Sequence, residues 1–368
     1  MQITAAVKYA DRDTFSIEQL ELEPPRAKEI LVKIVGVGLC HTDIVFSGRT
    51  DGYPFPAVFG HEGSGVVLAV GEAVTKVAPG DAVAISFRSC GDCDRCGSHD
   101  PAYCRTMPML NYTGAREDGS TSLSGLSGAV ASNFFGQSSF ASHALTYEEN
   151  VVKVDDDLPL ELLGPLGCGI QTGAGGVMRS LNAKKGSSIL IMGGGPVGLA
   201  AVMGARIQAC GTIILLEPQA NRRDLAKEFG ATHVIDPNET PDLVDAVRSI
   251  VPLGLDYAFD TTGIPEVLQS AMGCLGSMGT LGVVGITPPG TPIPGELSGL
   301  MMFGQSVRGI IEGDSDPDTF IPELLGYFRE GRLPFDRLIK TYPLSQINEA
   351  ISDQHAGRCV KVVLTPDD

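Results

Sequence analysis

A chain of 368 residues exceeds what one ordinary core holds and predicts two domains. With 43% hydrophobic and 19% charged residues it reads as globular, and a net charge of −17 argues against nucleic-acid or anionic-membrane partners. The first residues lack the basic and apolar regions of a signal peptide, so a cytoplasmic location is expected, with the nine cysteines reduced.

Residues 1–85 alternate short apolar runs (Thr4–Lys8, Ile30–Val37, Gly65–Val70, Ala82–Ile85) with Gly, Pro and Asp turns, which predicts a β-rich domain. Within it Cys40-His41-Thr42-Asp43 and Gly60-His61-Glu62-Gly63 gather potential ligands and proton carriers. Taken singly, such a Cys is more often an apolar filler and such a His a satisfied core residue. Cys90, Cys93, Cys96 and Cys104 are more specific. Four thiolates at this density close a tetrahedral shell on zinc, a structural site bracing a lobe too poor in apolar residues to fold alone. An iron–sulfur cluster would want a shorter final spacing and a following Pro. Residues 117–133 read as a solvated Gly/Ser loop, Phe134-Phe135 and Phe140 as core or pocket wall, and Thr146–Val154 as strand.

The stretch GPLGCGIQTGAGG, residues 164–176, lies between this half and a βα-patterned second half. Cys168 stands there between two glycines, its sulfur little shielded. Ile189 to Ala205 carries no charge for 17 residues, yet its glycines and Pro196 favour a strand, a turn and a helix over a membrane span. The strand Ser188–Met192, the turn Gly193-x-Gly195-x-x-Gly198 and the helix Val197–Ile207 form a dinucleotide fingerprint, with pyrophosphate at the helix N-terminus. The next strand, Thr212–Leu216, ends at Glu217, whose carboxylate would accept from an adenosine ribose and repel a 2′-phosphate, favouring NAD; Arg222 and Arg223 just beyond soften that preference. Units at Thr232–Ile235, a helix through Val251, Leu255–Asp260 and Met278–Gly285 complete an α/β doubly wound parallel sheet. A helix Phe320–Arg329 and a strand Val360–Leu364 follow, a tail expected to rejoin the first domain.

Together these motifs resemble zinc-dependent medium-chain alcohol dehydrogenases over roughly residues 3–364. The resemblance rests on Cys40–Asp43, Gly60-His61-Glu62, the four-Cys lobe, Leu166–Gly169, Gly193–Gly198, Phe259-Asp260-Thr261-Thr262-Gly263 and Ile347-Asn348-Glu349-Ala350. The wording around Cys168 is most similar to the aryl-alcohol (benzyl alcohol) branch, which includes allylic terpene alcohol enzymes. The implied fold is a β-rich GroES-like catalytic domain with a structural zinc lobe (1–170 and 313–368) and a Rossmann NAD-binding domain (171–312).

The resemblance implies that Cys40, His61 and Cys168 bind a catalytic zinc, with Glu62 close behind as a transient ligand and Asp43 orienting the His61 ring. It implies that Thr42 accepts the substrate proton. Cofactor contacts are implied for His41, Thr172, Gly193, Gly195, Pro196, Val197, Gly198, Glu217, Arg222, Thr262, Ile286 and Lys361, with His41 and Lys361 at the pyrophosphate and Thr172 near the nicotinamide. The implied substrate wall is Phe87, Leu110, Phe134, Phe135, Ile286 and Ile311, apolar as suits a flat unsaturated alcohol. Many relatives carry a His five residues after the first Cys ligand, at the end of the proton relay; Val45 stands there.

The expected activity is reversible NAD-dependent oxidation of a primary aromatic or allylic alcohol, with two zinc ions per chain. Zinc lowers the pKa of bound water from ~15.7 to about 7, and a like effect on an alcohol is worth roughly 12 kcal/mol. A homodimer is expected first, a tetramer second. The enzymatic rivals are glutathione-dependent formaldehyde dehydrogenase, against which the missing arginine cluster weighs, and a general short-chain alcohol dehydrogenase. A non-enzymatic, zinc-braced nucleotide-binding scaffold predicts one zinc and no turnover.

Overall fold

The computed structural model describes residues 1–49 and 52–367. The chain forms two compact units, one of Met1–Cys168, Asp316–Leu325 and Asp336–Asp368, the other of Gly169–Ser315 and Gly326–Phe335.

The first unit is built on two sheets. One runs in the order Ala57–Val58, Gln2–Lys8, Phe15–Leu22, Leu123–Gly125, Gly128–Val130. The other runs Val151–Lys153, Ala82–Ile85, Gly63–Val70, Glu29–Leu39, Lys361–Thr365, Ile339–Pro343, with His143–Tyr147 also paired to Glu29–Leu39. The four expected early strands are present, each end within two residues of its expected place. Phe15–Leu22 escaped the sequence reading because Glu18, Gln19 and Glu21 interrupt its apolar run; its inward residues Phe15, Leu20 and Leu22 are buried. Residues 117–133 are not simply a solvated loop. They include a hairpin, Leu123–Gly125 with Gly128–Val130, whose first strand pairs with Phe15–Leu22. Leu123 and Val130 bury on its inner side, and Ser122 and Ser132 bond each other below it. The C-terminal strand returns to this unit, with Val362 opposite Leu39 and Val363 opposite Gly38.

The second unit holds six parallel strands in the order His233–Ile235, Thr212–Leu216, Ser188–Met192, Leu255–Asp260, Leu275–Val283, Ser306–Gly309. This is the doubly wound Rossmann order. Its central strands read as unbroken apolar runs because helices cover both faces. Leu190, Met192, Ile214, Leu216 and Leu281 share one core. The charge-free run resolves into a strand and the helix Pro196–Ile207. Among the described residues no helix is long and apolar enough to cross a membrane. The expected strand at Met278 begins earlier, at Leu275, where Gly276 and Gly279 hide its pattern.

Candidate active site

The strand Glu29–Leu39 ends at Cys40, and the helix His41–Ser47 starts at once. Asp43 lies in the first turn and folds back, so its Oδ2 accepts from the Cys40 amide at 3.0 Å. Its Oδ1 accepts from the Gly60 amide at 3.0 Å and from His61 Nδ1 at 2.8 Å. A carboxylate offers no proton, so Nδ1 carries the hydrogen and Nε2 points the other way. It faces Cys168 Sγ at 3.3 Å. Cys168 follows a one-turn helix, Gly164–Gly167, and is buried.

Cys40, His61, Glu62 and Cys168 thus bring two sulfurs, a ring nitrogen and a carboxylate oxygen within 4.8 Å of one another. A nitrogen and a sulfur bound to one tetrahedral zinc would stand ~3.6 Å apart, close to the 3.3 Å found. The donor set fits zinc. The Cys40 thiol is held well below its usual range, chiefly by a hydrogen bond from Cys168, with burial opposing and the His61 charge assisting. Burial works against the charged His61 ring, but Asp43 and Cys40 together outweigh it and the ring titrates well above its usual range.

Glu62 is fully buried, and its carboxylate lies 2.5 Å from the Lys361 ammonium. Lys361 is 1% exposed and also donates to the Leu39 carbonyl at 3.1 Å. Both partners use the charge that the resemblance directs to pyrophosphate. Burial raises the Glu62 carboxyl, and Lys361 pulls it back. The neighbouring strand must be bare for Glu62 to lie there: a Cβ on Gly38 would sit 1.8 Å from its Oε2.

The second cluster is Cys90, Cys93, Cys96 and Cys104. Thiolates on one tetrahedral zinc would stand ~3.8 Å apart; Cys93–Cys96 and Cys90–Cys96 are separated by 3.6 and 3.9 Å. Backbone amides of Arg105 and Cys96 lower Cys93 to about 6, whereas burial lifts Cys90 to about 12.

Of the expected wall, Phe87, Leu110, Phe134 and Phe135 are buried in the first unit. Phe135 stacks on the His61 ring at 4.3 Å and 24°, and Phe134 meets it edge-on at 5.7 Å. Phe134 also packs on Phe59 and Phe46, so it is core as well as wall. Leu110 lines a different space, a polar crevice of about 350 Å³ with Arg88, Cys90 and Cys93. Phe46 and Tyr112 were not singled out in the sequence. They stack at 5.1 Å, and Tyr112 meets Phe135 at 5.3 Å. Thr42 is half-buried and His41 exposed.

In the second unit Gly193 has φ +95°, which opens the turn, and a Cβ on Gly198 would strike the Gly193 carbonyl at 1.8 Å. Gly195 caps Pro196–Ile207, with open space where a side chain would stand. This loop fits a pyrophosphate approaching bare backbone at a helix start. Glu217 closes the loop, accepting from the Gly194 amide at 2.6 Å and the Gln219 amide at 2.8 Å. Arg223 is committed to Asp236 and the Glu217 carbonyl, whereas Arg222 is half-buried with an unpaired Nε. Thr262 donates to Asp260, which also accepts from the Gly263 amide. Ile286 is exposed and Ile311 half-buried. Glu312, which sequence reasoning passed over, is buried and accepts from Gln171 at 3.2 Å and from Thr172 at 3.4 Å. No spacing rule links residues 140 positions apart.

Residues 26–156 match the alcohol dehydrogenase GroES-like domain family, and residues 196–326 the zinc-binding dehydrogenase family. The chain is 48% identical over 352 residues to the geraniol dehydrogenase of Castellaniella defragrans, covering 95% of this chain and 94% of that one. An alcohol dehydrogenase zinc-binding domain protein from Burkholderia ambifaria superposes with a TM-score of 0.97 at 48% identity, over 100% of both chains. The benzyl alcohol dehydrogenase of Acinetobacter calcoaceticus does so at 0.95 and 40%, again over 100% of both.

Proposed function

The chain belongs to the zinc-dependent medium-chain alcohol dehydrogenases, oxidoreductases acting on CH–OH donors, and on that premise we propose that it oxidises a primary aromatic or allylic alcohol reversibly to the aldehyde. NAD is the coenzyme, held by residues 171–312, and each chain takes two zinc ions. The observation that carries the reading is the Cys40–His61–Cys168 triad, with His61 and Cys168 buried and Cys40 half-buried, and the Phe135 ring stacked on the ligating imidazole. The geraniol and benzyl alcohol enzymes among its relatives support the substrate class.

Three protein ligands leave one position open, the arrangement of a catalytic site. Zinc bound there would supply the Lewis acidity that makes the substrate hydroxyl acidic near neutral pH, and bound NAD the hydride acceptor. Asp43 fixes the His61 tautomer and ring plane. Lys361 holds the Glu62 carboxylate as a reserve oxygen donor. Thr42 takes the substrate's hydroxyl proton and passes it on; Val45 has no proton site, so another carrier completes the path. The thiolates of Cys90, Cys93, Cys96 and Cys104 hold the structural zinc. Glu217 selects against a 2′-phosphate. The enzyme works in the cytoplasm as a homodimer.

Burying one aryl or isoprenyl body is worth roughly 1.5–3 kcal/mol, about ten- to a hundredfold in kcat/KM. NAD⁺ reduction by the zinc-loaded protein with benzyl alcohol, geraniol and ethanol should show that margin for the two unsaturated substrates. Preference for ethanol overturns the substrate class; no turnover with any of them, at two zinc ions per chain, overturns the reading as a whole.

A further inference from the structure

The segment Asn133–Ser138 is buried throughout and strained. Asn133, Phe135 and Ser138 are non-glycine residues at φ +65°, +53° and +54°, with Gly136 at +64° between them. A bulky residue such as Phe rarely adopts this conformation, and it persists only where surroundings over-determine it. The strain places two side chains at one spot. Phe135 lies on the His61 ring, and Gln137, 2% exposed, reaches the backbone on either side of Glu62.

The Gln137 amide uses all four of its hydrogen-bonding positions. Nε2 donates to the His61 carbonyl at 2.9 Å and to the Ser86 carbonyl at 3.0 Å. Oε1 accepts from the Gly63 amide at 3.0 Å and from Ser139 Oγ at 2.7 Å. Ser86 in turn donates its hydroxyl to the carbonyl of Gly167, the residue before Cys168, at 2.6 Å. A Cβ on Gly63 would stand 2.5 Å from Ser139 Oγ and 3.0 Å from Gln137 Oε1, so that strand position is kept bare for the clamp.

We propose that Gln137 is a positioning residue for the catalytic metal, one buried amide that fixes the backbone of His61 and Glu62 directly and that of Cys168 through Ser86. Asp43 sets the rotation of the imidazole; Gln137 sets where its main chain stands. The two act on different coordinates, so neither replaces the other. A fully satisfied buried amide is rigid because any displacement breaks several bonds away from water. The inference rests on the zinc reading of the Cys40–His61–Cys168 cluster.

The test measures zinc release from the purified holoenzyme to excess chelator, with Gln137→Met as the near-isosteric variant that makes none of the four bonds. Removing groups that orient metal ligands typically costs about 10–100-fold in affinity. One of the two zinc ions should leave faster by about that factor, while release of the other, from the four-Cys lobe, stays unchanged. In protein with cobalt in the catalytic cluster the d–d bands should shift, a change that a merely structural role would not produce. Should Gln137→Met fail to fold, Ser86→Ala carries the test, since it removes the hydroxyl that bonds the Gly167 carbonyl and should speed release severalfold. Unchanged release in the variant that folds, or equal acceleration at both sites, overturns the proposal while leaving the zinc reading intact. A wild-type protein holding one zinc per chain overturns the zinc reading, and the proposal with it.

Discussion

Asp43 serves three donors at once, the amides of Cys40 and Gly60 and the His61 ring, and is wholly buried. An asparagine there keeps the volume and one acceptor but turns an N–H toward groups that are themselves donors. At least one buried donor then loses its partner, and the imidazole loses the charge that fixes its tautomer. Asp43→Asn should therefore weaken zinc at the catalytic cluster by about 10–100-fold and lower kcat with it. Metal analysis after dialysis against graded chelator reads this directly, with the four-Cys zinc as internal control. Loss of both metals together would make Asp43 a folding residue instead. The role of Asp43 is legible in the sequence because it stands beside Cys40, on one short motif. Gln137 and Glu312 are not legible in the same way, since the residues around the metal cluster that Gln137 bonds, His61 and Gly63, lie about 75 positions away, the partners of Glu312 lie about 140 away, and no local pattern marks them.

Elements were legible where burial imposes a period. Ser188–Met192 and Thr212–Leu216 coincide with the expected strands because covered parallel strands are apolar without interruption. The hairpin at Leu123–Val130 was hidden because few of its residues are large and apolar, and its place is fixed by pairing with Phe15–Leu22 rather than by its own pattern. The lobe at residues 90–104 is the extreme case. It holds only the short helices Asp94–Gly97 and Pro101–Tyr103, with few buried side chains. Such a segment cannot repay its ordering entropy by apolar burial, and on the proposed reading zinc supplies the difference. Stripping the zinc, or making Cys93→Ser, should open this lobe to proteolysis within residues 90–104 while the parallel sheet of the other unit remains folded. Limited digestion followed by mass spectrometry checks it. Equal resistance with and without metal would mean that the lobe folds on contacts alone.

At the scale of the molecule, charge and exposed apolar surface act in opposite directions. The chain carries −17, which keeps copies apart. Yet Ser306–Gly309 is an edge strand of the parallel sheet, and the helix before it, Leu297–Phe303, leaves Leu297, Met301 and Met302 84%, 77% and 70% exposed. A sheet edge beside an apolar helix suits a two-fold contact in which the same patch meets itself, and such a contact closes without forming a filament. Two chains of like charge repel over about 10 Å at 0.1 M salt and over about 30 Å at 0.01 M. A dimer closed through this patch should therefore be tighter in moderate salt than in dilute buffer, the reverse of an assembly held by ion pairs. Sedimentation should give twice the chain mass at 0.1 M salt, with dissociation growing as salt is withdrawn. Met301→Glu sets two new carboxylates against each other across the axis, so it should yield the single-chain mass with secondary structure retained. A single-chain mass for the unaltered protein at every salt concentration would assign the apolar helix to another partner. Four chain masses would require a second contact elsewhere, and Met301→Glu should then leave pairs.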